Sequence, residues 1–176
     1  MNFSMIALAS VIGLGVLLML HSLLGRRRSM AMRTAARPHG LLARGLYVVL
    51  VLSVLTLIAT GLGPTAVLRS AMDGWVLVIH VSTGTAFAVC LALGAVLWAE
   101  GQAQAGRGGA VFWLALLTAL VLVGTVVASM LGWASSAGIG TLFVIHRYAG
   151  LAMALVLIVH IYQRVLEWRY SKGARH

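Results

Sequence analysis

Residues 141–166 read TLFVIHRYAGLAMALVLIVHIYQRVL and decide the fold. The stretch is apolar, lacks proline, and carries one histidine near each end, His146 and His160. A bilayer core about 30 Å thick needs roughly 20 predominantly apolar residues as helix, which this run supplies. The two histidines lie 14 residues apart. At about 100° and 1.5 Å per residue they project from nearly the same face, roughly 21 Å apart along the axis.

Working outward, four more runs of this kind are found, over residues 5–24, 41–62, 75–99 and 110–131. The spacing predicts an all-α integral membrane protein, a bundle of five transmembrane helices with short connections. Pro38 and Pro64 fall at span boundaries, where a missing N–H costs least. The first run could pass for a secretory signal. A signal peptide carries its positive charge before the apolar stretch. Here Arg26, Arg27 and Arg28 follow it, so it is read as a retained helix. No clear internal repeat stands out. Residues 101–109 (GQAQAGRGG) read as a flexible connection and 135–140 as a turn. Neither leaves room for a second domain, so a soluble catalytic part would belong to another chain.

Composition agrees. The 176 residues are 61% hydrophobic and 9% charged. A soluble domain averages about 25% charged residues. That excludes an ordinary water-soluble enzyme, a disordered chain and a nucleic-acid module, although the net charge is +10. The single cysteine, Cys90, excludes a disulfide framework and a cysteine-rich metal site. The 13 bases are placed asymmetrically. Arg26, Arg27, Arg28, Arg33, Arg37 and Arg44 fall in or beside the first connection, Arg107 in the third, and Arg164, Arg169, Lys172 and Arg175 at the tail. Positive residues favour the cytoplasmic side. An N-out, C-in topology puts 11 of the 13 inside, leaving Arg69 and Arg147 outside. The charge excess then reads as an orientation signal, and lipid bilayer is the expected surrounding.

Ionisable groups at membrane depth are costly and are candidates for function. His80 and His146 lie at matching depth near the outer face, on separate spans. Each has glycine four residues on, Gly84 and Gly150, on the same helical face. A glycine there leaves room for a flat macrocycle; it equally allows close helix packing. A membrane histidine can also be a hydrogen-bonded packing residue. Two at equal depth, with a third one along the same helix, point instead to axial imidazoles for haem, one site in each half of the bilayer. His160 would serve the inner site. Its partner is His21, five residues before the arginine cluster, or His39, after Arg37 and Pro38. His176 reads as a terminal residue. Arg147 adjoins His146 and could pair with haem propionates, helped by Arg69, or snorkel to headgroups. Arg44 could serve the inner haem. Trp75, Trp98, Trp133 and Trp168 fit an aromatic belt.

Three stretches carry a resemblance: LTLIATGLGP (residues 55–64), DGWVLVIHVSTG (73–84) and FVIHRYAGLAMALVLIVHIY (143–162). The chain resembles the di-haem b-type cytochrome membrane subunits of bacterial formate dehydrogenases and nickel–iron hydrogenases over roughly residues 37–170. The resemblance implies a four-helix cytochrome b core over 37–170, with residues 1–36 an additional helix and basic loop. It implies two non-covalent haems b, with His80, His146 and His160 matching the ligand pattern. It also implies electron transfer across the bacterial inner membrane between a periplasmic partner, a dehydrogenase or c-type cytochrome subunit, and the quinone pool. Such a chain is an electron-transfer subunit more than a complete enzyme. One departure stands out. Family chains often place a histidine about 13 residues before the Thr-Gly pair; counting back from Thr60 gives Tyr47, in Arg44-Gly-Leu-Tyr47. His21 or His39 would then replace it, or the inner haem is absent or differently ligated. The competing expectations are a single-haem membrane anchor of a redox complex using His80 and His146 only, and a non-redox membrane scaffold. A transporter would favour polar groups near the midplane, which is nearly bare here.

Overall fold

The computed structural model describes residues 3–24, 40–68, 70–104, 109–132 and 135–173. These form five helices: α1 (Phe3–Leu24), α2 (Leu41–Leu62), α3 (Gly74–Gln104), α4 (Ala110–Met130) and α5 (Ser136–Gly173). No strand occurs among the described residues. All five helices are long and apolar enough to cross a membrane. A helix is the element that satisfies every backbone polar group internally, as lipid demands.

The helix ends have local causes. α2 runs on into a π-helical turn, Gly63–Leu68. Pro64 has no N–H to return to the preceding turn, which loosens the helix there. Its own carbonyl accepts from Ser70 N at 3.0 Å, closing the segment. Gly132, just past the end of α4, has φ 65, a left-handed conformation that glycine adopts without a Cβ penalty. The turn expected over 135–140 is shorter than that. Ser135 caps the next helix, its Oγ accepting from Gly138 N at 3.3 Å and its carbonyl from Ile139 N at 2.9 Å, so α5 starts at Ser136.

Helices α2 with α3, and α4 with α5, form two hairpins. Contacts of α2 with α5 and of α3 with α4 close them into a four-helix ring. Each helix gives one residue to the buried centre: Val54, Phe87, Ala119 and Met153. Ala119 has no exposed surface at all, which sets how closely the helices approach. α1 lies outside the ring. Its Ala7 packs with Leu151 of α5 in a second cluster that includes Leu62. Most other large apolar side chains point outward, Val96 at 84% and Met130 at 75% exposed. That surface is compatible with contact to lipid, as expected of a multi-pass membrane protein.

The ring carries a twofold repetition, which corrects the expectation of no clear internal repeat. Val54, Leu57 and Thr60 on α2 correspond to Ala119, Leu122 and Thr125 on α4, each 65 residues on. His80, Gly84 and Phe87 on α3 correspond to His146, Gly150 and Met153 on α5, each 66 residues on. The pairs match in burial as well, since Val54, Ala119, Phe87 and Met153 are the four core residues. Around the histidines the repeated string is Val-Ile-His-x-x-x-Gly (78–84 and 144–150).

Candidate functional site

At one end of the ring the two hairpins bring His80 and His146 together. Their ring centres stand 6.4 Å apart, with the planes at 73°. Both side chains are half-buried. Each is held from the other helix of its own hairpin. His80 Nδ1 lies 2.8 Å from Thr60 Oγ1, and His146 Nδ1 lies 2.9 Å from Thr125 Oγ1. Nε2 is the ring nitrogen left over on each.

Each of the two histidines has a glycine four residues on. A Cβ added at Gly84 would meet only Leu57 Cδ2, at 3.9 Å, and one at Gly150 only Leu122 Cδ2, at 4.0 Å. These are ordinary contacts, so helix packing alone does not demand glycine at either place. Gly61 is different. A Cβ there would come within 3.1 Å of His80 Cε1, so this glycine makes room for the His80 ring. Arg147, next to His146, is exposed, while Arg69 lies outside the described residues.

The other end is built differently. His160 Nε2 lies 2.8 Å from the Tyr47 hydroxyl, their ring centres 6.1 Å apart. Tyr47 in turn packs edge-on against Trp98 at 6.4 Å. The Trp98 ring lies over Gly94, where a Cβ would meet its Cζ3 at 2.8 Å. Trp98 is therefore an interior packing residue as well as a span-end tryptophan. A groove at this end is lined by Tyr47, His160, Ile161, Arg164 and Val165. His21 bonds elsewhere: its Nδ1 lies 2.6 Å from the Tyr162 hydroxyl, tying α1 to α5. Arg44 is exposed near the start of α2, and Trp75 is 80% exposed. His39, His176 and Trp133 lie outside the described residues, as does the side chain of Trp168.

The structure thus joins His80 with His146, and bonds His160 and His21 each to a tyrosine. The sequence reading misses Thr60 and Thr125 as site residues. Their signal is the repetition: a threonine 20 residues before His80 and another 21 before His146.

No protein-family model matches the chain, and searches of curated proteins and of solved structures return no match. The resemblance to cytochrome subunits therefore rests on the quoted motifs alone.

Proposed function

We propose that the chain is a membrane b-type cytochrome that holds a non-covalent haem between His80 and His146. One observation carries the reading. Metal–imidazole bonds run to about 2.0–2.1 Å and a ring nitrogen lies roughly 1.1 Å from its ring centre, so two imidazoles on opposite sides of one metal ion stand about 6.3 Å apart, centre to centre. The separation of His80 and His146 is 6.4 Å.

A bound haem would supply a one-electron couple with both axial positions filled, which suits electron transfer rather than O₂ binding. The chain's own residues do the rest. His80 and His146 ligate from facing hairpins. Gly84 and Gly150 present no side chain to the space beside them, which Leu57 and Leu122 approach. Arg147 offers a charge for propionates. In the N-out orientation this site lies in the outer half of a bacterial inner membrane, where it exchanges electrons with a periplasmic dehydrogenase or c-type cytochrome partner. The quinone pool is the other redox partner.

Two forms of the reading differ at the inner end. In the two-haem form His160 ligates a second haem, which its position on the His146 face of α5 favours. In the single-haem form the Tyr47 hydroxyl keeps the His160 Nε2, which their 2.8 Å separation favours. The geometry supports the single-haem form better. Haem content of purified His160→Ala protein separates them. It matches the parent in the single-haem form and falls by one haem per chain in the two-haem form. Loss of all haem from His80→Ala and His146→Ala, with none lost from His160→Ala, is the pattern expected.

A further inference from the structure

The two threonines beside the histidine pair have a specific consequence for where protons sit. A threonine hydroxyl carries one hydrogen and two acceptor lone pairs. Thr60 Oγ1 lies 2.7 Å from the Thr56 carbonyl, with the Leu57 carbonyl farther away at 3.4 Å. Carbonyls only accept, so the hydroxyl hydrogen is spent there. What Oγ1 has left for His80 Nδ1, at 2.8 Å, is a lone pair. Nδ1 must therefore donate. The second hairpin repeats the arrangement. Thr125 Oγ1 donates to the Leu122 carbonyl at 2.8 Å and accepts from His146 Nδ1 at 2.9 Å.

We infer that Thr60 and Thr125 are matched positioning residues that fix the proton of each histidine on Nδ1 and leave the lone pair of each on Nε2. A neutral imidazole has one donor and one acceptor nitrogen, and its tautomer follows the bond the other nitrogen makes. This also separates a ligand pair from a packing pair. A hydrogen bond between two histidines needs a donor from one of them, and with Nδ1–H turned to threonine on both, neither Nε2 has a hydrogen to give. Nitrogen lone pairs that meet no donor are stabilised by an electrophile, and metal-bound histidines characteristically donate their other N–H to an outer partner. The inference rests on the proposed haem reading only in naming the metal as what the lone pairs receive.

Repetition makes the assignment stronger than one hydrogen bond would. The same four parts occur in each hairpin at the same register: a threonine, a leucine three residues before it, a histidine, and a glycine four residues after the histidine. In each hairpin that leucine is the nearest neighbour of that glycine. His160 meets Tyr47 through Nε2, the nitrogen left over at the His80 and His146 level.

The test uses ¹⁵N-histidine spectra of the full chain in micelles, before haem is added and at a pH where imidazole is neutral. His80 and His146 are expected as Nδ1–H tautomers. Thr60→Val and Thr125→Val keep the side-chain shape without the hydroxyl. Each should move its own histidine toward the Nε2–H form, and Thr60→Ser and Thr125→Ser should restore Nδ1–H. After haem addition the valine variants should bind about 10–100-fold more weakly. Their midpoint potential should rise, because a less basic imidazole stabilises ferric iron less. Nε2–H tautomers in the parent, or valine variants with unchanged tautomers, overturn the inference. Unchanged haem affinity and potential in both valine variants overturn its metal-directed part. Nδ1–H tautomers in a chain that takes up no haem would leave the threonine assignment standing and remove the cytochrome reading.

Discussion

The rings of His80 and His146 stand 6.4 Å apart, centre to centre, each reached from its own hairpin and each tied to a threonine of that hairpin. Replacing either histidine by alanine removes one of two axial donors. Both His80→Ala and His146→Ala are expected to purify without the haem at this site, to the same extent. Pigment per chain, measured against an unchanged helical circular-dichroism signal, checks this. A variant that kept full low-spin haem would contradict the pairing.

Gly84 and Gly150 separate cofactor binding from packing. An added Cβ at either would make contacts of 3.9 and 4.0 Å. Alanine should therefore be accepted by the polypeptide and stabilise the helix by up to about 1 kcal/mol. If a macrocycle lies against these positions, the same change lowers haem occupancy. The expected pattern is a higher unfolding midpoint without haem together with weaker haem uptake. Equal haem affinity in both alanine variants would return the glycines to helix packing.

Ala119 has no exposed surface and sits where all four ring helices meet. Ala119→Leu forces extra methylenes into that centre, and overpacking typically costs about 1–3 kcal/mol. Thermal unfolding in detergent should show this loss. Leu117→Ala, at an exposed position on the same helix, should leave the transition nearly unmoved.

Two histidine–tyrosine bonds tie the opposite end, His160 with Tyr47 and His21 with Tyr162. Side-chain hydrogen bonds between membrane helices average about 0.6 kcal/mol. Tyr162→Phe should cost about that much and loosen α1 alone, leaving haem at the His80–His146 site. Hydrogen exchange in α1 that rises while α2–α5 keep their protection is the result that checks it.

The spans were legible because hydropathy and length are strong signals in a membrane, and all five runs became helices, α1, α2 and α4 close to the lengths read from the sequence, α3 and α5 longer. The pairing of His80 with His146 was legible from equal depth on separate spans. Ends were less legible. α5 begins before the expected residue 141 because a serine cap, invisible to hydropathy, starts it at Ser136. Thr60 and Thr125 were passed over because a threonine in an apolar helix ordinarily bonds its own backbone. These two do so and also lie within hydrogen-bond distance of a histidine Nδ1. Tyr47 was visible as a departure from the family pattern. Its bond to His160 was not, since it spans 113 residues of sequence. The repetition lay in the open at 78–84 and 144–150, and matching burial gave it meaning.

Haem content per chain, with the reduced-minus-oxidised spectrum of the purified protein made with ample haem supply, decides whether His80 and His146 hold a cofactor. One low-spin haem b per chain is expected in the single-haem form, lost on His80→Ala or His146→Ala. Folded protein that carries no haem, or whose haem survives both substitutions, would contradict it.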